Sequence, residues 1–187
     1  VATGKTLWRA YPIPEAPVLM GKRPDGGESW GPSGGAIWSA PTVDAKRGLI
    51  YAGVGNTYSG SGSQPATDAI VAFELKTGAM KWAQQLEPGD VYGCRNGEPN
   101  CGTQQGPDFD FGASPVIARL PGGKDIIVAG QKSGMAFGLD PDKTTILVTG
   151  GSQGARRLNE LSAEAAGKLP PDTQVLHIAE VLAGRRD

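Results

Sequence analysis

The chain has no apolar run near the roughly 18 residues of a membrane span, so no transmembrane segment is expected. It has no excess of either charge, since 18 Lys and Arg stand against 19 Asp and Glu. Neutralising phosphates takes clustered basic residues, so nucleic acid and anionic membrane are excluded as main partners and small molecules are favoured. Histidine is almost missing, with His177 alone. The chain opens on Val1 inside a turn pattern, without a start methionine or a charged-then-apolar leader. Any targeting segment is expected to lie outside it, and the missing leader carries no information.

Glycine and proline are plentiful instead, at 29 and 15 residues. They alternate with short apolar runs, as in a turn-rich β protein and not as in a disordered chain. Cys94 and Cys101 bound a polar loop whose Gly and Pro can reverse the chain and bring the thiols together. A local disulfide there contributes about 2.5 kcal/mol by chain entropy and implies an oxidising compartment. Two free thiols are the alternative. A zinc site is the third reading, weakened by the distant His177 and the lack of a second Cys pair.

The pattern changes near Lys143. Up to about Asp142 the text is Gly, Trp and β-branched punctuation, whereas Thr144 onward reads as a strand, a glycine loop and an amphipathic helix. Two domains are expected, 1–143 and 144–187. In the first, three stretches share a strand, a tight turn and a second strand near Trp: Ala2 to Trp8, Ala72 to Trp82 and Ala136 to Lys143. Thr-Gly supplies the left-handed turn position, and Trp8 and Trp82 are read as spacers between blades. The spacing of about 65 to 75 residues suits one blade plus a long loop. Further strands are expected at Ile37 to Val43, Gly48 to Gly53, Ser114 to Arg119 and Asp125 to Gly130. The third copy breaks off at Lys143, before the expected Gly and Trp strand. The fold class is therefore mainly β, a partial propeller of about two to three blades followed by a short βαβ segment. Exposed strand edges on that open piece are expected to favour association.

Four runs carry a specific resemblance. They are Ile37-Trp38-Ser39-Ala40-Pro41-Thr42-Val43-Asp44; Arg47-Gly48-Leu49-Ile50-Tyr51-Ala52-Gly53-Val54-Gly55-Asn56; Gly106-Pro107-Asp108-Phe109-Asp110-Phe111-Gly112-Ala113-Ser114-Pro115; and Ala129-Gly130-Gln131-Lys132-Ser133-Gly134. In this order and spacing, residues 1–143 resemble the pyrroloquinoline quinone (PQQ) dehydrogenases, the polyvinyl-alcohol dehydrogenases among them. The resemblance implies an eight-bladed β-propeller, PQQ and Ca²⁺ as cofactors, and a small-molecule or polymeric alcohol as substrate. It also implies cytochrome c or another electron acceptor as partner, and a periplasmic or secreted location.

It further implies roles that make chemical sense. Trp38 matches the tryptophan on which the planar quinone stacks, with inter-blade packing as the alternative. Asn56 matches the asparagine that gives its amide oxygen to Ca²⁺, a hard cation needing oxygen ligands; a turn asparagine is the bland reading. Asp110 matches the aspartate that takes the alcohol proton and stands beside the metal. Phe109 and Phe111 would limit water around it. A surface-loop aspartate is the alternative for Asp110, and the favoured reading for its neighbour Asp108. Lys132 matches the basic residue that points at the reactive carbonyl, against an exposed hairpin lysine. A whole enzyme of this kind closes about eight blades. The acidic Ca²⁺ ligand and cofactor clamps of the earlier blades are missing, so this segment is expected not to hold PQQ tightly.

In the second segment Thr145 to Thr149 reads as a buried parallel strand. Gly150 to Gly154 turns into a helix with Leu158, Leu161, Ala165 and Leu169 on one face, stopped by Pro170 and Pro171, and Thr173 to Ile178 is a second strand. Gly151, Ser152, Gln153 and Gly154 form a possible phosphate loop at the helix start, and a structural turn fits the spacing equally well. The loop is neither a Walker loop nor a Gly-x-Gly-x-x-Gly fingerprint. The run Val148-Thr149-Gly150-Gly151-Ser152-Gln153-Gly154-Ala155-Arg156, with Leu158-Asn159, resembles the UDP-N-acetylglucosamine transferases of lipid II synthesis over about 144–178. Arg157 and the double proline depart from that family's text, and its acceptor domain, uracil-contacting segment and ribose-binding glutamate are absent. Glycosyl transfer is not expected, and His177 reads as a strand histidine. The three readings are a partial quinoprotein with a foreign tail, a nucleotide-sugar-binding fragment, and a non-catalytic chimera. Their compartments conflict, since a cytoplasmic location follows if the tail governs, and that conflict points to an artificial join.

Overall fold

A computed structural model of the chain describes residues 3–59, 64–94, 101, 106–142, 144–149 and 173–178. Among them are eleven β-strands and no helix, so the mainly β class read from the sequence holds. No helix among the described residues is long and apolar enough to cross a membrane. The chain divides into two compact units, Val1–Gly138 and Leu139–Asp187.

The first unit begins with a hairpin that the sequence patterns did not signal, β1 (Val18–Lys22) paired with β2 (Glu28–Gly31). Its turn is closed by Arg23 N–H to the Gly27 carbonyl at 2.7 Å, and Asp25 accepts the Gly27 N–H. Next comes an antiparallel meander in sequence order: β3 (Thr42–Asp44), β4 (Leu49–Val54), β5 (Ala69–Glu74) and β6 (Met80–Gln85). Four strands in this order are the size of one propeller blade. β5 reads Ala-Ile-Val-Ala-Phe and is buried along those five residues, as expected of a central strand covered on both faces. Its turn into β6 places Gly78 at φ +74°, and the missing side chain there leaves room for the Trp8 ring. Trp8 in turn donates its indole N–H to the Leu75 carbonyl at 3.0 Å.

Beneath this sheet the core is small-residue and close-packed: Ala52, Val54, Ala66, Ala69, Val71 and Phe73, with Ala10, Ile37 and Ala83 against it. Val54 and Val71 are fully buried, each contributing about 2 kcal/mol by burial. Trp82 stacks on Tyr51 at 5.7 Å between ring centres, across Ala72 of its own sheet. Its ring thus lies on the face of its own sheet.

A three-stranded sheet follows: β7 (Val116–Arg119), β8 (Asp125–Gly130) and β9 (Ala136–Leu139), in that order. Gly122 and Gly123, both at positive φ, make the tight turn between β7 and β8. The two sheets are joined by charge. Arg47 donates to Asp44 at 2.9 Å and to Asp125 at 3.1 Å, and Lys46 adds a second bond to Asp125. Burial opposes ionisation of Asp44, but the Arg47 guanidinium and backbone N–H, with the Tyr51 hydroxyl, outweigh it and hold the carboxyl below its ordinary value.

Two strands are shorter than their sequence patterns. β3 starts at Thr42 and not at Ile37, because Pro41 has no N–H for the ladder and the chain before it departs toward the end of the sheet. β7 starts at Val116, after Pro115, for the same reason.

In the second unit β10 (Thr144–Thr149) and β11 (Thr173–Ile178) pair in parallel, with Thr144 opposite Thr173 and Val148 opposite His177. A parallel pair requires a long crossover, and the stretch of sequence between the two strands is long enough for one. The helix expected in that crossover and the loop Gly151 to Gly154 lie outside the described residues.

Candidate functional site

At one end of the two sheets of the first unit, β4 and β8 finish while β3, β5 and β7 begin. The segments that enter and leave the strands there carry Trp38, Asn56, Asp110 and Lys132. The structure brings these four together.

Gly53-Val54-Gly55 sets the geometry. A Cβ on Gly53 would lie 2.6 Å from the Phe111 carbonyl, so the glycine lets the segment before β7 cross directly over β4. One step on, a Cβ on Gly55 would lie 2.6 Å from the Trp38 ring, and one on Gly112 would lie 2.9 Å from its Nε1. The indole therefore rests against two bare stretches of backbone, yet Trp38 remains 50% exposed. A tryptophan with this support and this much open surface is an apolar plate, suited to a flat ring.

Asn56 follows at the end of β4 and is buried. Its side-chain N–H₂ donates to the carbonyls of Thr57 at 2.8 Å and Tyr92 at 2.6 Å. With both donors committed, the amide orientation is fixed and the Oδ1 is the atom turned away from them, an oxygen of the kind a hard cation takes. The Asn56 backbone N–H donates to Asp110 Oδ1 at 2.8 Å. Asp110 is buried to 2% exposure, and its other oxygen is paired with the Lys132 ammonium. Phe111 is buried beside it with its ring 5.6 Å from that of Phe137.

Lys132 stands on the turn between β8 and β9, its backbone N–H bonded to the Asp110 carbonyl at 3.1 Å. Its ammonium reaches Asp108 at 2.8 Å as well as Asp110, and lies 5.7 Å from the Trp38 ring centre. The hydrogen bond that Lys132 donates to Asp108, then the one it donates to Asp110, raises the Lys132 pKa well above its ordinary value, and the first of these lowers that of Asp108. Asp108 is therefore not the idle surface aspartate that the sequence reading favoured. It adopts φ +63°, a conformation non-glycine residues rarely hold, and from there meets the lysine. Its signal in the sequence is the repeated Asp-Phe step, which places two carboxylates on one short segment.

Two further acids escaped the sequence reading. Asp90, just past β6 and 2% exposed, accepts the backbone N–H of Tyr92 at 3.0 Å and of Phe109 at 2.8 Å. Asp68, at the head of β5, is fully buried, at φ +46°, and neither of its carboxyl oxygens has a hydrogen-bond partner among the described residues. Burial, reinforced by the charges of Asp90, Asp110, Glu87 and Asp108, pushes its pKa up to about 8. An acid before an unbroken apolar strand was the available signal. Cys94 and Cys101 form a disulfide, and Cys94 is buried. Among the described residues no three His, Cys, Asp or Glu side chains lie close enough to hold a metal by themselves.

The plate fits a planar quinone, and Asn56 with Asp110 presents two hard oxygen donors of the six to eight that Ca²⁺ takes. The remaining ligands would come from water, from the cofactor or from chain beyond these residues.

Comparison with known proteins agrees in kind. The chain is 40% identical over 148 residues to polyvinylalcohol dehydrogenase of a Pseudomonas species, covering 78% of this chain and 23% of that protein. It is 43% identical over 145 residues to polyvinylalcohol dehydrogenase of a Sphingopyxis species, covering 75% and 22%. The chain thus spans under a quarter of the length of these curated relatives. A short stretch of 42 residues is 67% identical to the UDP-N-acetylglucosamine–N-acetylmuramyl-(pentapeptide) pyrophosphoryl-undecaprenol N-acetylglucosamine transferase of a Nocardioides species, covering 22% of this chain and 12% of that one. The family model for the PQQ glucose/ethanol/alcohol dehydrogenase β-propeller domain matches residues 1–144, the span that contains the whole side-chain cluster. By that match, the chain belongs to the PQQ-type glucose/ethanol/alcohol dehydrogenase β-propeller family.

Proposed function

We propose that residues 1–143 form the part of an eight-bladed quinoprotein propeller that carries one side of a PQQ and Ca²⁺ site for alcohol oxidation. The single observation that supports this reading best is the convergence of Trp38, Asn56, Asp110 and Lys132 at one strand end. When bound, PQQ supplies a two-electron acceptor for hydride from the alcohol carbon, and Ca²⁺ supplies a Lewis acid. Trp38 offers its open face to the ring system. Asn56 Oδ1 and the Asp110 carboxylate are the oxygens for the cation. Asp110 accepts the proton of the alcohol hydroxyl, with buried Phe111 keeping bulk water from one side. Lys132 keeps a positive charge over the Trp38 ring; two of its three N–H donors are held by Asp108 and Asp110, and the third would be open to an acceptor on a ring stacked there. The substrate is a small or polymeric alcohol, polyvinyl alcohol among them, and the electrons pass to cytochrome c or another acceptor. A disulfide fits a periplasmic or secreted site of action.

Because the chain spans under a quarter of its relatives, we expect PQQ affinity weaker than micromolar from these residues alone. A dye-linked alcohol oxidation assay with added PQQ and Ca²⁺, compared with Asp110→Asn, tests the reading. Alcohol-dependent dye reduction lost in the variant supports it, and equal rates in both remove Asp110 from its role.

A second reading concerns 144–187 alone. The 42-residue match and the parallel β10–β11 pair favour a nucleotide-sugar-type βαβ piece, with Gly151, Ser152, Gln153 and Gly154 as its phosphate loop. In that case the chain is a chimera whose tail takes no part in alcohol oxidation. Saturable binding of UDP-N-acetylglucosamine supports the phosphate-loop assignment, and its absence leaves the loop a structural turn.

A further inference from the structure

The chain leaves the end of the four-stranded sheet at Val91 and lies against that end again from Gly106 to Asp110, the stretch that carries Asp108 and Asp110. Both limbs of the neck between these points end on one carboxylate. Asp90 Oδ1 accepts the Tyr92 N–H at 3.0 Å, and Asp90 Oδ2 accepts the Phe109 N–H at 2.8 Å, 19 residues away in sequence. The Asp90 side chain is sealed in, at 2% exposure, and the returning limb passes close enough that a Cβ on Gly106 would lie 2.6 Å from Asp90 Oδ1.

Each limb delivers one contact to the site. Tyr92, held by its N–H, gives its carbonyl to the Asn56 side-chain amide at 2.6 Å. Phe109, held by its N–H, precedes Asp110, whose Oδ1 takes the Asn56 backbone N–H at 2.8 Å. The path from Asp90 through Tyr92, Asn56, Asp110 and Phe109 returns to Asp90, with every non-covalent step a hydrogen bond among buried or half-buried groups. We infer that Asp90 is a positioning residue: by tying both limbs of the 91–108 segment to one carboxylate, it fixes the amide orientation of Asn56 and the placement of Asp110. It touches no reacting atom. The Cys94–Cys101 disulfide closes a smaller loop inside the same segment and does not span the neck, so the two devices are separable.

This inference rests on the role proposed for Asn56 and Asp110, but its geometry can be read without that role. Asp90→Asn keeps the shape and replaces one acceptor oxygen by an N–H₂ facing an N–H, so one limb loses its anchor. In the full chain, hydrogen exchange of the Asn56 side-chain amide followed by NMR is the readout, with β4 and β5 backbone amides as the control for global folding. We expect exchange at least tenfold faster in Asp90→Asn with the control amides unchanged, and less than threefold faster in Cys94→Ser/Cys101→Ser. Unchanged exchange in Asp90→Asn, or a larger effect from losing the disulfide, overturns the inference. If Asp90→Asn does not fold, Gly106→Ala pushes the same carboxylate from the other side and is held to the same criterion. Titration of the same proteins with Ca²⁺ alone separates the two levels. A wild-type chain that takes no Ca²⁺ counts against the metal role of Asn56 while the exchange result still decides the clamp. Where the wild-type chain does bind, equal Ca²⁺ affinity in Asp90→Asn counts against any consequence of the clamp for the site.

Discussion

The Lys132 ammonium lies 5.7 Å from the centre of the Trp38 ring. A cation at this distance from an indole is attracted by about 0.5–1 kcal/mol at an exposed site, too little to hold a flexible lysine by itself. What holds it is the pair of carboxylates that accept from it, Asp108 and Asp110. The charge is thus held over the Trp38 ring by two acids on one short segment, and each part of that arrangement can be removed singly.

Asp108→Asn removes the carboxylate whose hydrogen bond is the largest single cause raising the Lys132 pKa. The lysine should titrate at lower pH than in the wild-type chain, though still above its ordinary value because Asp110 remains. A side-chain NMR titration of Lys132 measures this. Identical titration in both proteins would mean that Asp108 does not engage the lysine in solution.

Gly55→Ala and Gly112→Ala each put a methyl group where the Trp38 ring now rests, 2.6 Å and 2.9 Å from its nearest atoms. The ring has to move, and overpacking of this kind costs about 1–3 kcal/mol. Trp38→Ala, by contrast, removes a half-exposed side chain and should change the urea midpoint little while abolishing PQQ-dependent fluorescence quenching. If Trp38→Ala unfolds the chain, the ring is a packing element and not a plate.

Asp68 gives a pH dependence of known sign. Its folded pKa of about 8 lies above the ordinary 3.8. Between those values the unfolded chain releases a proton that the folded chain keeps, so its contribution is fully present below pH 4 and is lost as pH rises to about 8. Asp68→Asn, which also suits the positive φ, should therefore gain stability over wild type as pH rises from 4 to 9. The gain should be on the order of a few kcal/mol. Urea midpoints of both proteins at the two pH values check it. Parallel behaviour would show that Asp68 carries a compensating partner.

Reduction of Cys94–Cys101 should lower unfolding stability by about 2.5 kcal/mol on the chain-entropy estimate for so short a loop. Urea unfolding with and without reductant measures the difference. No difference would mean that the loop is held equally well without the bond.

Strand existence was legible wherever one periodic signal dominated. Ala69 to Phe73 is apolar at every position, and Thr77-Gly78 marks its turn, so β5 and the hairpin to β6 could be read directly. The β1–β2 hairpin was not legible, because Val18 to Gly31 mixes Gly, Lys and Asp without alternation and its strands are largely exposed. In the site, Trp38, Asn56, Asp110 and Lys132 stood in motif text, and the structure shows how glycine at 53, 55 and 112 allows them to meet. Asp90 stood outside any motif, and the signals at Asp108 and Asp68, a repeated Asp-Phe step and an acid before an apolar strand, do not disclose what these acids meet. Their weight comes from contacts or burial set by segments far apart in sequence, and a lone aspartate in a loop looks the same whether it faces water or a backbone N–H.

Titrating the chain with PQQ in excess Ca²⁺, with tryptophan fluorescence as the signal, asks whether the Trp38, Asn56, Asp110 and Lys132 cluster is a quinone site. We expect saturable, Ca²⁺-dependent quenching with affinity weaker than micromolar, absent in Trp38→Ala and weakened in Asn56→Ala. Quenching that never saturates, or that persists unchanged in Trp38→Ala, would contradict the assignment of this strand end as the cofactor site.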